Sequence, residues 1–221
     1  MANISYEEIL KNEEINTYIE MGNDVLGALG YTDHSKAHAV KVAQDASKIL
    51  SDLGYSKKNI ELAKIAGLMH DIGNSVNRRD HAHSGAIMAF QILKELQMDP
   101  KDIAVIVSAI GNHDESTGNA VTPISAAIIL ADKSDVRRNR VRNKEIANFD
   151  KHDRVNYAVL KSKICVNKEK GIIHLDIDLD EETCSVLDYF EIFLERMLMC
   201  RRAAELLKMK FKLTANGNKV L

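Results

Sequence analysis

The residues with the clearest chemical potential are a histidine and an aspartate at adjacent positions, His70 and Asp71. They end an apolar helical run and are followed by Ile72 and by a helix-ending glycine, Gly73. Adjacent residues of a helix project in different directions, so packing alone does not explain the pair. Both side chains could turn toward one ion where the helix ends. Imidazole and carboxylate together suit iron, manganese, zinc, nickel or magnesium.

A metal site needs further ligands, and the chain offers four more candidates: His38, His83, His113 and Asp132. A lone histidine on an apolar face is usually a hydrogen-bonded core residue. A buried aspartate, in contrast, needs a cation or several donors, because an isolated buried carboxylate is costly. Asp71 and Asp132 both follow apolar runs. A bound metal ion would satisfy both carboxylates.

Helices are predicted to position these candidates. His38 is in register with an apolar stripe that includes Val42 and Leu50. The run from 60 to 69 is almost continuously apolar, which predicts a central helix buried on most sides. Three further helices are predicted. The first begins at His83, the second ends just before His113, and the third leads to Asp132.

The ordered set of His38, His70-Asp71 and Asp132 resembles the HD-domain metal-dependent phosphohydrolases over about residues 20 to 145. With His83 and His113 between them, the set resembles the two-metal branch. That branch includes symmetrical dinucleoside tetraphosphatases and cyclic-dinucleotide phosphodiesterases. The family pattern favours His38 over the neighbouring His34. It also favours His83 over His81, because Gly85-Ala86 follows His83 as in the family.

The resemblance implies hydrolysis of a phosphomonoester, phosphodiester or phosphoanhydride, in a nucleotide. It implies two divalent ions bridged by Asp71, with a metal-bound hydroxide that attacks phosphorus in line. His38, His70 and Asp132 would complete one ion site, and His83 and His113 the other. Iron, manganese, nickel and zinc all suit this ligand set, and magnesium is possible.

Substrate contacts are expected next to the ligands. Residues 133–144 hold six basic residues and one acidic residue. Lys133 and Arg137 are therefore candidate phosphate contacts. Lys133 is also assigned to the catalytic set, with His70 and Asp71. Alternatively, the basic run is a solvated helix end whose cations complement the helix dipole. Asn74 and Arg78 are further candidate substrate contacts. Asn74 stands where several two-metal members have lysine, and Arg78 or Arg79 could replace the lysine contact.

Composition excludes several classes of protein. The 221 residues are 45% hydrophobic, with no tryptophan and two prolines, as expected for a helical globular chain. A formal net charge of −2 does not indicate nucleic-acid binding. Three scattered cysteines suggest reduced thiols in a cytoplasmic protein. We expect no signal peptide and no membrane span, and a small phosphorylated substrate as partner; a homodimer is one candidate assembly.

The pattern changes near residue 150. Period-two alternation predicts strands at 157–166 and 171–179, a long helix after Asp180, and a short strand near Phe211. The predicted fold is mainly α, an HD-type helical bundle (residues 1–149) with a small C-terminal α+β appendage (residues 150–221). His152 and His174 are expected on the surface.

Two alternative functions remain. A mononuclear nucleoside monophosphatase would use His83 and His113 to contact substrate. A non-catalytic nucleotide-sensing or regulatory module would use the metal for structure only, and would not turn over generic phosphoesters. An HD-type iron oxygenase is a third option that no sequence feature favours.

Overall fold

The computed structural model describes residues 4–143, 145 and 149–220. Over that part of the chain the protein is mainly helical, with a small sheet near the C-terminus. The α-helices are α1 (Tyr6–Lys11), α2 (Glu13–Ala28), α3 (Lys36–Leu53), α4 (Lys57–Met69), α5 (His81–Glu95), α6 (Pro100–Gly111), α7 (Pro123–Lys133), α8 (Lys151–Ala158) and α9 (Val186–Leu206). The strands are β1 (Val159–Asn167), β2 (Ile172–Leu179), β3 (Lys210–Ala215) and β4 (Asn218–Lys219). The predicted fold class is confirmed.

The N-terminal helical segment is divided, whereas its periodicity predicts one helix. The Ser5 side chain accepts from the Glu8 backbone and Glu8 accepts from the Ser5 backbone, which forms a capping box for α1. At Asn12 the backbone becomes extended, and the Asn12 side chain accepts from the amide of Ile15 to cap α2. The helical segment therefore breaks at Asn12, because this residue is more favourable as the N-cap of a new helix than inside a continuous one.

Helix α4 lies at the centre of the bundle, as its apolar sequence predicts. It packs against α1, α3, α6 and α7. Gly67 permits the close approach to α3, because a Cβ atom there would lie 2.8 Å from the Cα of Ala43. The buried residues Ile65, Leu68 and Met69 then fill the space between the helices. This packing holds the C-terminal end of α4 in the middle of the molecule.

The C-terminal sheet has the order β1-β2-β3-β4. β1 and β2 form an antiparallel hairpin, α9 crosses over to place β3 parallel to β2, and β4 turns back against β3. The predicted first strand began two residues too early, because Tyr157 and Ala158 complete α8. The alternating residues Ile173, Leu175 and Ile177 form the buried face, as predicted.

The C-terminal part contacts the helical bundle through packing, an ion pair and a hydrogen bond. α9 packs along α7. The side chain of Arg138 forms an ion pair with Asp180 at 3.0 Å, and the Ser162 hydroxyl donates to the carbonyl of Ser134 at 2.6 Å. Whether residues 150–221 are a separate domain stays a prediction. Lys144, the last member of the basic run, lies outside the described residues. In the described part, no helix combines the length and apolar character needed to cross a bilayer.

Candidate metal centre

Six histidine and aspartate side chains converge at the end of α4. His38 comes from α3, His70 and Asp71 end α4, His81 begins α5, His113 follows α6, and Asp132 lies near the end of α7. Gly73 allows α5 to lie this close, because a Cβ atom at Gly73 would collide with the His81 carbonyl and the Gly85 amide. Helix ends from across the bundle therefore meet at one point.

Asp71 lies between two groups of ligand atoms. Its Oδ2 is 3.2 Å from Nε2 of His70 and 3.8 Å from Nε2 of His38. Its Oδ1 is 3.3 Å from Nε2 of His81 and 3.7 Å from Nε2 of His113. One carboxylate thus faces two pairs of imidazoles, each with a different oxygen.

Asp132 completes the first group. Its Oδ1 is 3.4 Å from Nε2 of His38 and 3.8 Å from Nε2 of His70. Its Oδ2 forms an ion pair with Nζ of Lys133 at 2.8 Å. Lys133 therefore orients the Asp132 carboxylate so that its other oxygen faces the imidazoles.

All four buried imidazoles are oriented in the same way by their Nδ1 atoms. The Nδ1–H groups of His70, His81 and His113 donate to the carbonyl three residues earlier, at 2.8, 3.0 and 2.6 Å. Nδ1 of His38 donates to the Asp135 carboxylate at 2.8 Å. These oxygens can only accept, so each Nδ1 carries the proton and each Nε2 keeps a lone pair for the centre.

The resulting lone pairs need a cation. Nε2 of His81 lies 3.2 Å from Nε2 of His113, and with both protons on Nδ1 this contact brings two acceptors together. Nε2 of His38 and of His70 are buried without a hydrogen-bond partner among the described residues. Buried acceptors left unpaired are costly. Divalent ions bound by these nitrogens and by Asp71 would satisfy them all, so the donor set fits a metal.

The charges at the centre favour the ligand forms. Burial alone would raise the pKa of Asp71, but the adjacent His70 imidazole and contacts from His113 hold that pKa well below its usual range. Burial likewise opposes ionisation of Asp132, and Lys133 outweighs it. Burial lowers the pKa of His113, which favours the neutral ligand. His70 is the exception: burial would lower its pKa, but the carboxylate of Asp71 raises it, so a metal bound at its Nε2 would have to displace a proton.

Other side chains hold the ligands in place. Asn74 is fully buried, and its Nδ2 donates to Oδ1 of Asp71 at 2.8 Å and to the Asp71 carbonyl at 3.0 Å. Asp135, behind His38, is held by Arg137 at 2.6 Å. The structure therefore places Asn74 against a candidate ligand, where the sequence predicts a substrate contact.

The structure brings together five of the six predicted ligands and leaves out His83. The His83 side chain is 55% exposed and lies 3.9 Å from Asp80, while His81 joins the cluster. Residues two apart on a helix project about 200° apart, so only one of these histidines can face inward. The inward face of α5 carries Gly85 and Ala89, whereas the face of His83 carries the exposed Ile87. The small residues Gly85 and Ala89, four and eight residues after His81, could have indicated that His81 lies on the buried face.

The predicted basic contacts divide into two groups. Arg78 and Lys133 line the cavity above the centre, and one Arg78 nitrogen is 3.3 Å from Nε2 of His81. Lys133 is almost buried, between Asp132 and Glu115. Arg137 is bonded to Asp135 and does not line the cavity, because an extended backbone turns it away from the α7 end. Arg137 therefore lies behind the candidate ligands, whereas the sequence predicts that it contacts the phosphate.

The cavity over the centre has a volume of about 790 Å³. The side chains that line it include Tyr31, Arg78, Arg196 and His152. His152 is exposed, as the sequence predicts, and its exposed side faces this cavity. A cavity of this size suits a small molecule.

Several known proteins and one family model are similar to this chain. A predicted HD superfamily hydrolase from an uncultured Thermotogales bacterium aligns over 56% of this chain and 67% of its own, with 26% identity and a TM-score of 0.44. An uncharacterized protein of Methanocaldococcus jannaschii is 31% identical over 62% of this chain and 61% of its own length. Ribonuclease Y of Enterococcus faecalis is 30% identical over 57% of this chain. The chain spans only 23% of that ribonuclease. The HD domain model matches residues 36–154, more than half of the chain, so the protein belongs to the HD domain family.

Proposed function

We propose that this protein is a metal-dependent phosphohydrolase that cleaves a phosphoester or phosphoanhydride bond of a nucleotide. The observation that carries the proposal is the shared orientation of four buried imidazoles. Each donates from Nδ1 to an oxygen behind it and leaves Nε2 facing one of the two oxygens of Asp71. Such an arrangement has no use in packing and suits a pair of divalent ions.

The distances support a proposal of two ion sites. His38, His70, Oδ2 of Asp71 and Oδ1 of Asp132 would hold one ion, and the other would lie among Oδ1 of Asp71, His81 and His113. This assignment keeps the proposed resemblance to the two-metal branch and replaces His83 with His81. Iron, manganese, nickel, zinc and magnesium all remain possible.

When bound, a divalent ion supplies Lewis acidity toward a phosphoryl oxygen and lowers the pKa of water. The protein's own groups supply charge and position. The Arg78 guanidinium, next to His81, can neutralise charge that develops on equatorial phosphoryl oxygens. Lys133 contributes through Asp132 and not as a free phosphate ligand, because two carboxylates within 2.8 Å already pair its ammonium.

The size of the cavity favours a nucleotide as substrate. The ribonuclease Y relatives suggest a phosphodiester, and the volume of about 790 Å³ suits a mono- or dinucleotide. A cytoplasmic location and a homodimer stay predictions.

The test combines metal analysis with a generic assay. Protein purified without added metal or chelator is analysed for iron, manganese, nickel and zinc, and is then assayed with p-nitrophenyl phosphate and bis-p-nitrophenyl phosphate. We expect about two ions per chain and turnover that Asp71→Asn abolishes while the circular dichroism spectrum is unchanged. One ion per chain would favour the mononuclear phosphatase. Metal binding without turnover of either ester would favour the regulatory module.

A further inference from the structure

The C-terminal helices α8 and α9 contribute one wall of the cavity. Asn156 and, on α9, Phe193 and Arg196 line the cavity and lie outside the residues that match the HD domain. The metal centre is complete without them. Their position therefore needs an explanation beyond metal binding.

Arg196 presents a flat polar surface to the cavity. Its Nε donates to Oε1 of Glu115 at 3.0 Å, and its guanidinium lies 4.6 Å above the ring centre of Phe193. The side chain is 26% exposed and lines the cavity. Glu115 balances the charge of Arg196, which makes this wall a poor place for a phosphate. A planar guanidinium supported by an aromatic ring is a good stacking surface for a nucleobase.

The α8 side of the wall offers acceptors. Asn156 is 6% exposed and uses Nδ2 to donate to the carbonyl of His152 at 2.8 Å, so Oδ1 is its atom available to a ligand. The carboxylate of Asp153, 9% exposed, lines the same cavity. Amide and carboxylate oxygens accept from hydroxyl and amino groups. Arg78 and Arg79, from the segment before α5, also line the cavity.

We propose that α8 and α9 form a nucleoside-binding wall, in which Arg196 stacks on the base while Asn156 and Asp153 accept hydrogen bonds from sugar hydroxyl or base N–H groups. The inference rests on the proposed function and adds the part of the substrate that the C-terminal helices recognise. The phosphate then lies at the metal centre beside Arg78, and the nucleoside lies across the cavity.

The contribution of the nucleoside-binding wall can be measured by comparing two diesters that have the same leaving group. Bis-p-nitrophenyl phosphate and the p-nitrophenyl ester of thymidine 5′-monophosphate differ only in the group that the wall would bind. For Asn156→Ala, we expect kcat/KM for the thymidine ester to fall about three- to tenfold, the effect of one neutral hydrogen bond, with the other diester unchanged. Arg196→Lys, which keeps the charge next to Glu115 but loses the planar surface, should lower the same ratio. Lys151→Ala, on the exposed side of α8, is the matched control and should change neither rate.

Each outcome is distinguishable. Equal losses on both diesters for Asn156→Ala and Arg196→Lys would show that the wall is structural and would overturn the inference alone. Unchanged rates on both diesters for both variants would also overturn it. If metal-loaded wild-type protein hydrolysed neither these diesters nor p-nitrophenyl phosphate, the proposed function and the inference that rests on it would both fail. Turnover of p-nitrophenyl phosphate without turnover of either diester would overturn the inference alone.

Discussion

Exchanging the two neighbouring histidines of α5 for alanine gives the sharpest test of the metal centre. His81 and His83 are two residues apart, and only His81 has its Nε2 within 3.3 Å of Oδ1 of Asp71. His83 is 55% exposed. We therefore expect His81→Ala to lose one of two bound ions and His83→Ala to keep both.

The magnitude follows from the number of ligands. Structural zinc sites with four protein ligands bind with about 10–16 kcal/mol, or about 3 kcal/mol for each ligand. His81, His113 and Asp71 supply the protein ligands of the second site. Removing one of these ligands should therefore weaken that site by on the order of 10²-fold. His83→Ala changes an exposed side chain and should alter affinity less than about threefold.

The assay is competition between the protein and a chelator of known affinity, with metal content measured for each variant. Circular dichroism establishes that both variants are folded. Loss of an ion in His83→Ala together with full metal content in His81→Ala would refute the assignment. If His81→Ala lowered thermal stability and left both affinities unchanged, His81 would be a core polar residue instead of a ligand.

Four further outcomes follow from the same structure. Asp135→Asn should weaken metal binding about 10–100-fold without abolishing folding, because the carboxylate orients a ligand imidazole from behind; unchanged affinity in the chelator competition would contradict this. Gly73→Ala should destabilise the fold by about 3 kcal/mol in urea unfolding, since its Cβ would collide with the backbone of α5; a wild-type midpoint would show that α5 can move. Removal of metal by a chelator should lower Tm by about 5–10 °C, because an ion at 100 times its Kd contributes about 2.7 kcal/mol to the folded state alone; an unchanged Tm would indicate that no ion was bound. A thiol reagent at pH 8 should label Cys165 in native protein and all three cysteines after denaturation, since burial raises the pKa of Cys200 to about 12; rapid native labelling of Cys200 would contradict its burial.

Local sequence predicted those features that depend on short-range physics. The apolar run of α4 predicted a central helix, because only burial on most sides accommodates it, and the adjacent His70 and Asp71 marked its end as a chemical site. Period-two alternation predicted β2, since side chains of a strand point alternately to opposite faces. HD family membership, predicted from the ordered residues, is confirmed by the comparison over 36–154.

The choice between His81 and His83 shows where local reasoning fails. Both follow a polar loop, and the family pattern favours His83, because Gly85-Ala86 follows it as in the family. The rotation of α5 about its axis is set by the contact between Gly73 and the backbone of His81 and Gly85. This contact crosses the loop, so no local sequence pattern encodes it. The rotation of a helix about its axis is a property of its packing partners.

The sequence by itself determined that this protein is a helical bundle with histidine and aspartate ligands at helix ends and a small C-terminal sheet, because periodicity, caps and residue chemistry are local. Only the tertiary structure decided which histidines face Asp71 and that Arg137 lies behind His38. It also decided that α9 crosses over to make β3 parallel to β2 and brings Arg196 to the cavity. Those outcomes depend on contacts between residues distant in the chain, and such contacts are selected by the packing of the whole molecule.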